Sequence, residues 1–179
     1  NTIHSDIDEP MSLFTVDLNN DMILDVVVGY DNNIGYFLGR GEGSFRSVER
    51  ISKKFSAIQD VAAADINGDG YVDVVTATEY RGVEWFEGKD SYSGYNYVDE
   101  PKLILDEEHF GETEIYSPEW HIDVADLDSD GITEVLLSTD HFMPGESVMW
   151  FKYSDSNTFE INLVDNDPSG NNAIHVADL

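Results

Sequence analysis

Laid against itself, the chain shows one aspartate-rich segment three times over. The copies are Phe14-Thr-Val-Asp-Leu-Asn-Asn-Asp-Met-Ile-Leu-Asp-Val-Val-Val28, Ala62-Ala-Ala-Asp-Ile-Asn-Gly-Asp-Gly-Tyr-Val-Asp-Val-Val-Thr76 and Asp123-Val-Ala-Asp-Leu-Asp-Ser-Asp-Gly-Ile-Thr-Glu-Val-Leu-Leu137. A fourth copy begins at Ile174 and stops where its loop would start. The loop-opening aspartates Asp17, Asp65, Asp126 and Asp178 stand 48, 61 and 52 residues apart. A unit of that size cannot bury its apolar face alone and must stack on its neighbours.

Within each repeat the pattern reads as four short strands. The first is apolar or small (Leu13 to Val16, Val61 to Ala64, Ile122 to Ala125), and the second is a β-branched run (Val26 to Val28, Val74 to Thr76, Val135 to Leu137). Continuous runs of this kind suit strands covered on both faces. The third strand carries an aromatic pair, Tyr36-Phe37, Trp85-Phe86 and Trp150-Phe151, expected in the core. A turn follows, clearest in Gly39-Arg-Gly-Glu-Gly-Ser-Phe45, and then a fourth strand such as Phe45 to Ile51 or Phe159 to Val164. No sustained 3.6-residue apolar period occurs, so helices are not expected.

The predicted fold is all-β, with β-propeller blades of four antiparallel strands. Residues 1–179 form a single unit: 1–8 end a preceding blade, 9–56 make a blade, and 57–117 make a second with an insertion over 89–120. Residues 118–170 make a third blade, and 171–179 are the first strand of the next. Three blades and two end strands do not close a ring, and a first and a fourth strand are not neighbours within a blade. With a chain that begins at Asn1 rather than Met, the expectation is a processed or trimmed portion of a larger propeller.

The loops carry the chemistry. Calcium takes six to eight oxygen ligands, which alternate residues of a tight acidic loop and one backbone carbonyl can supply. The first loop offers Asp17, Asn19, Asp21, the carbonyl of Ile23, and Asp25; the second offers Asp65, Asn67, Asp69, the carbonyl of Tyr71, and Asp73. The third offers Asp126, Asp128, Asp130, the carbonyl of Ile132, and Glu134. Up to three calcium ions are therefore expected, with Leu18, Ile66 and Leu127 between the ligands facing the core. Plain Asp/Asn/Gly turns use the same residues for backbone reasons, but three recurrences in one register favour a metal. An EF-hand would need Glu at the twelfth position and flanking helices; Val28, Thr76 and Leu137 stand there, inside strands.

The loops should differ in strength. At the sixth position Gly70 and Gly131 adopt a left-handed backbone freely, whereas Met22 would meet a cost of about 1 kcal/mol. The first loop is expected to be the weakest, and the third, with four anionic ligands and the longer reach of Glu134, carries the most charge. Magnesium is less suited to an all-protein oxygen cage, and zinc lacks thiolates or a histidine cluster.

The segment Asp65-Ile-Asn-Gly-Asp-Gly-Tyr-Val-Asp-Val-Val75 followed by Gly82-Val-Glu-Trp-Phe86 resembles the FG-GAP/VCBS repeat family. Members of that family form calcium-binding propeller blades related to those of integrin α-subunits. The resemblance implies six to eight blades in the whole ring, an extracellular or cell-surface location, and roles in adhesion, carbohydrate binding or accessory domains of secreted enzymes. It implies no single reaction.

Charge narrows the partners. With 37 acidic and 9 basic residues the formal net charge is −28, which repels phosphate backbones and argues against nucleic acid. It also opposes compaction unless cations neutralise it. There is no cysteine, hence no disulfide, and no apolar run long enough to insert in a membrane. No nucleophile motif such as GxSxG or a P-loop is present.

Two further groups of residues are candidates for ligand binding. Counting back from the loop aspartates, Asp60, His121, Asp123 and His175 fall on first strands at the variable parity. There they could form a polar cluster facing a central channel, or be ordinary solvated residues. In the insertion, Tyr92, Tyr95, Tyr97 and Trp120 could offer a sugar-binding aromatic surface, or pack the insertion onto its blade. The expected function is a calcium-stabilised extracellular module for binding or scaffolding, with carbohydrate or a protein as ligand. The alternative is a propeller domain of a secreted polysaccharide-processing enzyme such as a lyase or dehydratase.

Overall fold

The computed structural model describes residues 7–30, 32–52, 57–79, 81–89, 96–97, 100–105, 120–139, 148–154, 158–165 and 174–176. Among them every regular element is a strand. The first sheet runs β1 (Pro10–Val16), β2 (Asp25–Tyr30), β3 (Asn33–Phe37) and β4 (Glu49–Ser52). The second runs β5 (Ile58–Ala64), β6 (Asp73–Thr78), β7 (Gly82–Phe86) and β10 (Lys102–Leu105). The third runs β11 (Trp120–Ala125), β12 (Glu134–Thr139), β13 (Val148–Ser154) and β14 (Thr158–Asp165). A small ribbon pairs β8 (Gly88–Lys89) with β9 (Asn96–Tyr97). Every pairing is antiparallel between sequence neighbours in the sheet, so each repeat is a meander.

The β-branched second strands sit at the centre of each sheet and are buried along their whole length. Their alternation glues one sheet to the next. Val27 joins Leu18, Ile58, Val61 and Val74 in the core between the first and second sheets, while Val26 and Val28 face the other side with Tyr30 and Phe37. From the second sheet Val75 and Trp85 point the opposite way, to meet Val135, Leu137 and Phe151 of the third. First strands lie beside first strands, β1 against β5 and β5 against β11. Gly29 marks the close approach of the first two sheets, since a Cβ there would stand 2.7 Å from Cγ2 of Ile58.

Three expectations need correction. The strand expected from Phe45 to Ile51 begins only at Glu49; Phe45 makes an isolated bridge to Gly39, because the turn bonds of Arg40, Ser44 and Arg46 curl the chain first. The insertion over 89–120 is not all outside the blade, since β10 within it is the fourth strand of the second sheet. Leu127 is 40% exposed, while Leu18 and Ile66 are 0% exposed. The loop's second residue plugs the gap to the following sheet, and among the described residues no further sheet covers Leu127.

Candidate metal centre

Each acidic loop joins a first strand to a second, and its conformation is set by its own side chains. In the first, Oδ1 and Oδ2 of Asp17 accept hydrogen bonds from the N–H groups of Asp21 (3.1 Å) and Met22 (2.7 Å). Asn19 Oδ1 accepts from the N–H of Asp21 at 3.0 Å, and Asp21 Oδ1 from that of Ile23 at 2.9 Å. The second loop repeats this bond for bond. Asp65 accepts from Asp69 and Gly70, Asn67 from Asp69, and Asp69 from Tyr71. In the third, Asp126 accepts from Asp130 and Gly131, Asp128 from Asp130, and Asp130 from Ile132. These bonds turn the first, third and fifth side chains into the loop's interior.

The sixth position is left-handed in all three, with φ of 67° at Met22, 89° at Gly70 and 90° at Gly131. Met22 takes the strained geometry expected of it, with its side chain 93% exposed.

Beneath each loop lies the ninth residue, Asp25, Asp73 or Glu134, fully buried. One carboxylate oxygen accepts the N–H of the loop's second residue: Leu18 at 2.9 Å, Ile66 at 3.0 Å and Leu127 at 2.8 Å. In the first two blades the other oxygen accepts the N–H of a glycine after the third strand, Gly39 at 2.6 Å and Gly88 at 2.7 Å. The first of these must be glycine, because a Cβ at Gly39 would meet the carbonyl oxygen of Leu24 at 2.5 Å. Burial pushes Asp73 up to about 8, against the pull of its two N–H donors, with Asp69 and Asp65 adding repulsion. Asp25 and Glu134 are raised for the same first reason.

In the third loop the carboxylates of Asp126, Asp128 and Asp130 place ligand oxygens within 4.8 Å of one another. An all-oxygen donor set of this kind fits a hard divalent cation such as calcium. Lys152, on β13, reaches the same loop: its Nζ bonds Asp128, and Asp130 Oδ2 at 2.6 Å, with Glu134 Oε1 at 3.7 Å. The ammonium holds Asp130 below the usual carboxylate range, and the carboxylates in turn raise Lys152 above the usual lysine range.

The polar residues counted back from the loop aspartates form two pairs. His121 Nδ1 lies 3.8 Å from Asp60 Oδ2, and His175 Nδ1 lies 3.1 Å from Asp123 Oδ2. Both carboxylates are engaged by backbone. Asp60 accepts the N–H of Val61 and of Ile122, and the hydroxyl of Ser12; Asp123 accepts the N–H of Val124 and of Val176. Asp60 thereby ties its sheet to the first strand of the third, and Asp123 ties its sheet to the segment at Val176, a role that the sequence parity did not indicate.

Of the aromatic candidates, Trp120 is 1% exposed and belongs to the core between the second and third sheets. As the first residue of β11 it faces inward and offers no binding surface, so of the two alternatives the packing one applies to it. Tyr97 is half-buried and tilts against Tyr36, ring centroids 6.1 Å apart. Tyr92 and Tyr95 lie outside the described residues.

Comparison with known proteins agrees with this architecture. The family model for the FG-GAP-like repeat matches residues 17–98, which include the first two loops. The comparison with curated proteins gives no match. Among solved structures, the chain is similar to an Agrocybe aegerita lectin described for its specific recognition of non-reducing terminal N-acetylglucosamine. The two share 21% identity with a TM-score of 0.58 over 88% of this chain. The chain spans about 38% of that lectin chain's length. Residues 17–98 thus match the FG-GAP-like repeat, and the three four-stranded antiparallel sheets have the form of β-propeller blades.

Proposed function

We propose that the chain is a calcium-stabilised, extracellular propeller module that binds carbohydrate or a protein, its remaining blades being supplied by a longer chain. The observation that carries the calcium reading is the repetition of one donor arrangement three times. In each loop three oxygen-bearing side chains are aimed inward by backbone N–H groups, above a buried carboxylate that makes the fourth donor. Without a cation such a loop sets several carboxylates against one another. Carbohydrate is favoured among ligands by the likeness of fold to a lectin. An enzyme reading gains less support, because Asp60 and Asp123, the carboxylates nearest histidines among the described residues, spend their oxygens on backbone N–H groups.

The test is a glycan array probed with the chain in calcium and again in chelator, including glycans that end in non-reducing N-acetylglucosamine. Calcium-dependent binding without turnover is the expected result. Absence of binding to every glycan in calcium would remove the carbohydrate reading, and turnover of an acidic polysaccharide would replace the module with an enzyme.

A further inference from the structure

The three loops are not equivalent, and what separates the third is a residue far from it in sequence. The position after the aromatic pair of the third strand is Leu38 in the first blade, Glu87 in the second and Lys152 in the third. Leu38 is buried in the core, and Glu87 pairs with Lys102 at 2.9 Å, so neither brings a cation to its loop. Lys152 delivers an ammonium that touches Asp128 and Asp130 and faces Glu134.

The buried carboxylate under the third loop differs in a matching way. In the first two blades both oxygens of the ninth residue are satisfied by backbone N–H groups, the second donor being Gly39 or Gly88. In the third, β13 continues as a paired strand through Ser154, so no turn glycine is offered. Oε1 of Glu134 is fully buried, has no hydrogen-bond partner and points toward Nζ of Lys152. A buried, unsatisfied carboxylate oxygen is costly unless a cation faces it.

We propose that the ammonium of Lys152 is the built-in cation of the third loop, holding Asp128, Asp130 and Glu134 in place without metal and competing with calcium for that site. The third loop, the most acidic by its own residues, is then the least dependent on calcium for its order. A divalent ion must first displace the ammonium and then bind beside a displaced positive charge.

The two halves of the proposal are separable, and only the second rests on the calcium reading. Hydrogen exchange on the whole chain reads both through the amides of Asp130, Gly131 and Ile132, whose N–H groups the loop carboxylates accept. In chelator, the third loop of the unsubstituted chain should stay protected, and Lys152→Leu, which installs the residue of the first blade, should lose that protection. Calcium should restore it in the variant at a concentration on the order of tenfold below that at which the unsubstituted loop binds calcium by calorimetry. Lys152→Met serves if the leucine variant does not fold. Exchange in chelator that is unchanged by either substitution would overturn the proposal, as would a third loop that binds calcium equally tightly with and without Lys152. Should calcium bind no loop in either protein while the chelator result holds, Lys152 keeps its role and the calcium reading fails.

Discussion

Oδ2 of Asp60, on the second blade, accepts the backbone N–H of Ile122 on the third at 2.9 Å. Oδ2 of Asp123 repeats the relationship toward Val176, at 2.8 Å. In both, the carboxylate also accepts the N–H of the residue that follows it, so the Asp60 side chain straddles two first strands and that of Asp123 spans from its strand to the segment at Val176. Adjacent blades therefore meet through charge-assisted bonds at their first strands as well as through the apolar cores between sheets.

Asp60→Ala should destabilise the chain by about 1–3 kcal/mol, because it leaves the N–H of Ile122 and the hydroxyl of Ser12 without their acceptor. Urea unfolding with an unchanged slope and a lowered midpoint is the expected outcome. A midpoint equal to that of the unsubstituted chain would reduce the bond to a surface contact.

Met22→Gly should strengthen the first loop. Met22 holds φ of 67° where the other loops use glycine, and it is almost wholly exposed, so the substitution relieves backbone strain while losing little packing. A gain of about 1 kcal/mol corresponds to roughly fivefold in calcium affinity, read by calorimetry. Weaker binding in the variant would show that strain does not limit this loop.

Asp73 gives the metal-free chain a pH dependence of definite sign. Its folded-state value is about 8 against an ordinary 3.8, owing first to burial, so folding disfavours the ionised form. The stability tied to this group is fully present below about pH 4 and is lost as pH rises toward 8. In chelator, Asp73→Asn should flatten the fall in stability across that window, measured as the slope of unfolding free energy against pH. An unchanged slope would mean that Asp73 ionises freely in the folded chain.

The repeats, the all-β class and the inward-facing loop residues were legible because each is a local pattern that recurs in register. The buried runs Val26 to Val28 and Val74 to Thr76 and the left-handed position at Met22 lie where periodicity and loop geometry placed them. What sequence did not reveal depends on partners distant in the chain. Lys102–Leu105 has no counterpart in register, and only pairing with β7 makes it a blade strand. Trp120 read as a possible surface aromatic, and its burial follows from the neighbouring blade rather than from its own segment. Lys152 lies 22 residues from Asp130 and meets it only because β12 and β13 pair.

If these loops are calcium sites on which the fold depends, thermal unfolding of the chain in chelator and across a calcium titration will register it. Ligands that bind only the folded state stabilise it by RT ln(1+[L]/Kd), about 2.7 kcal/mol for one site at a hundredfold excess over Kd. The melting temperature should be lowest in chelator and climb steadily with free calcium. A melting temperature indifferent to both chelator and calcium would contradict it.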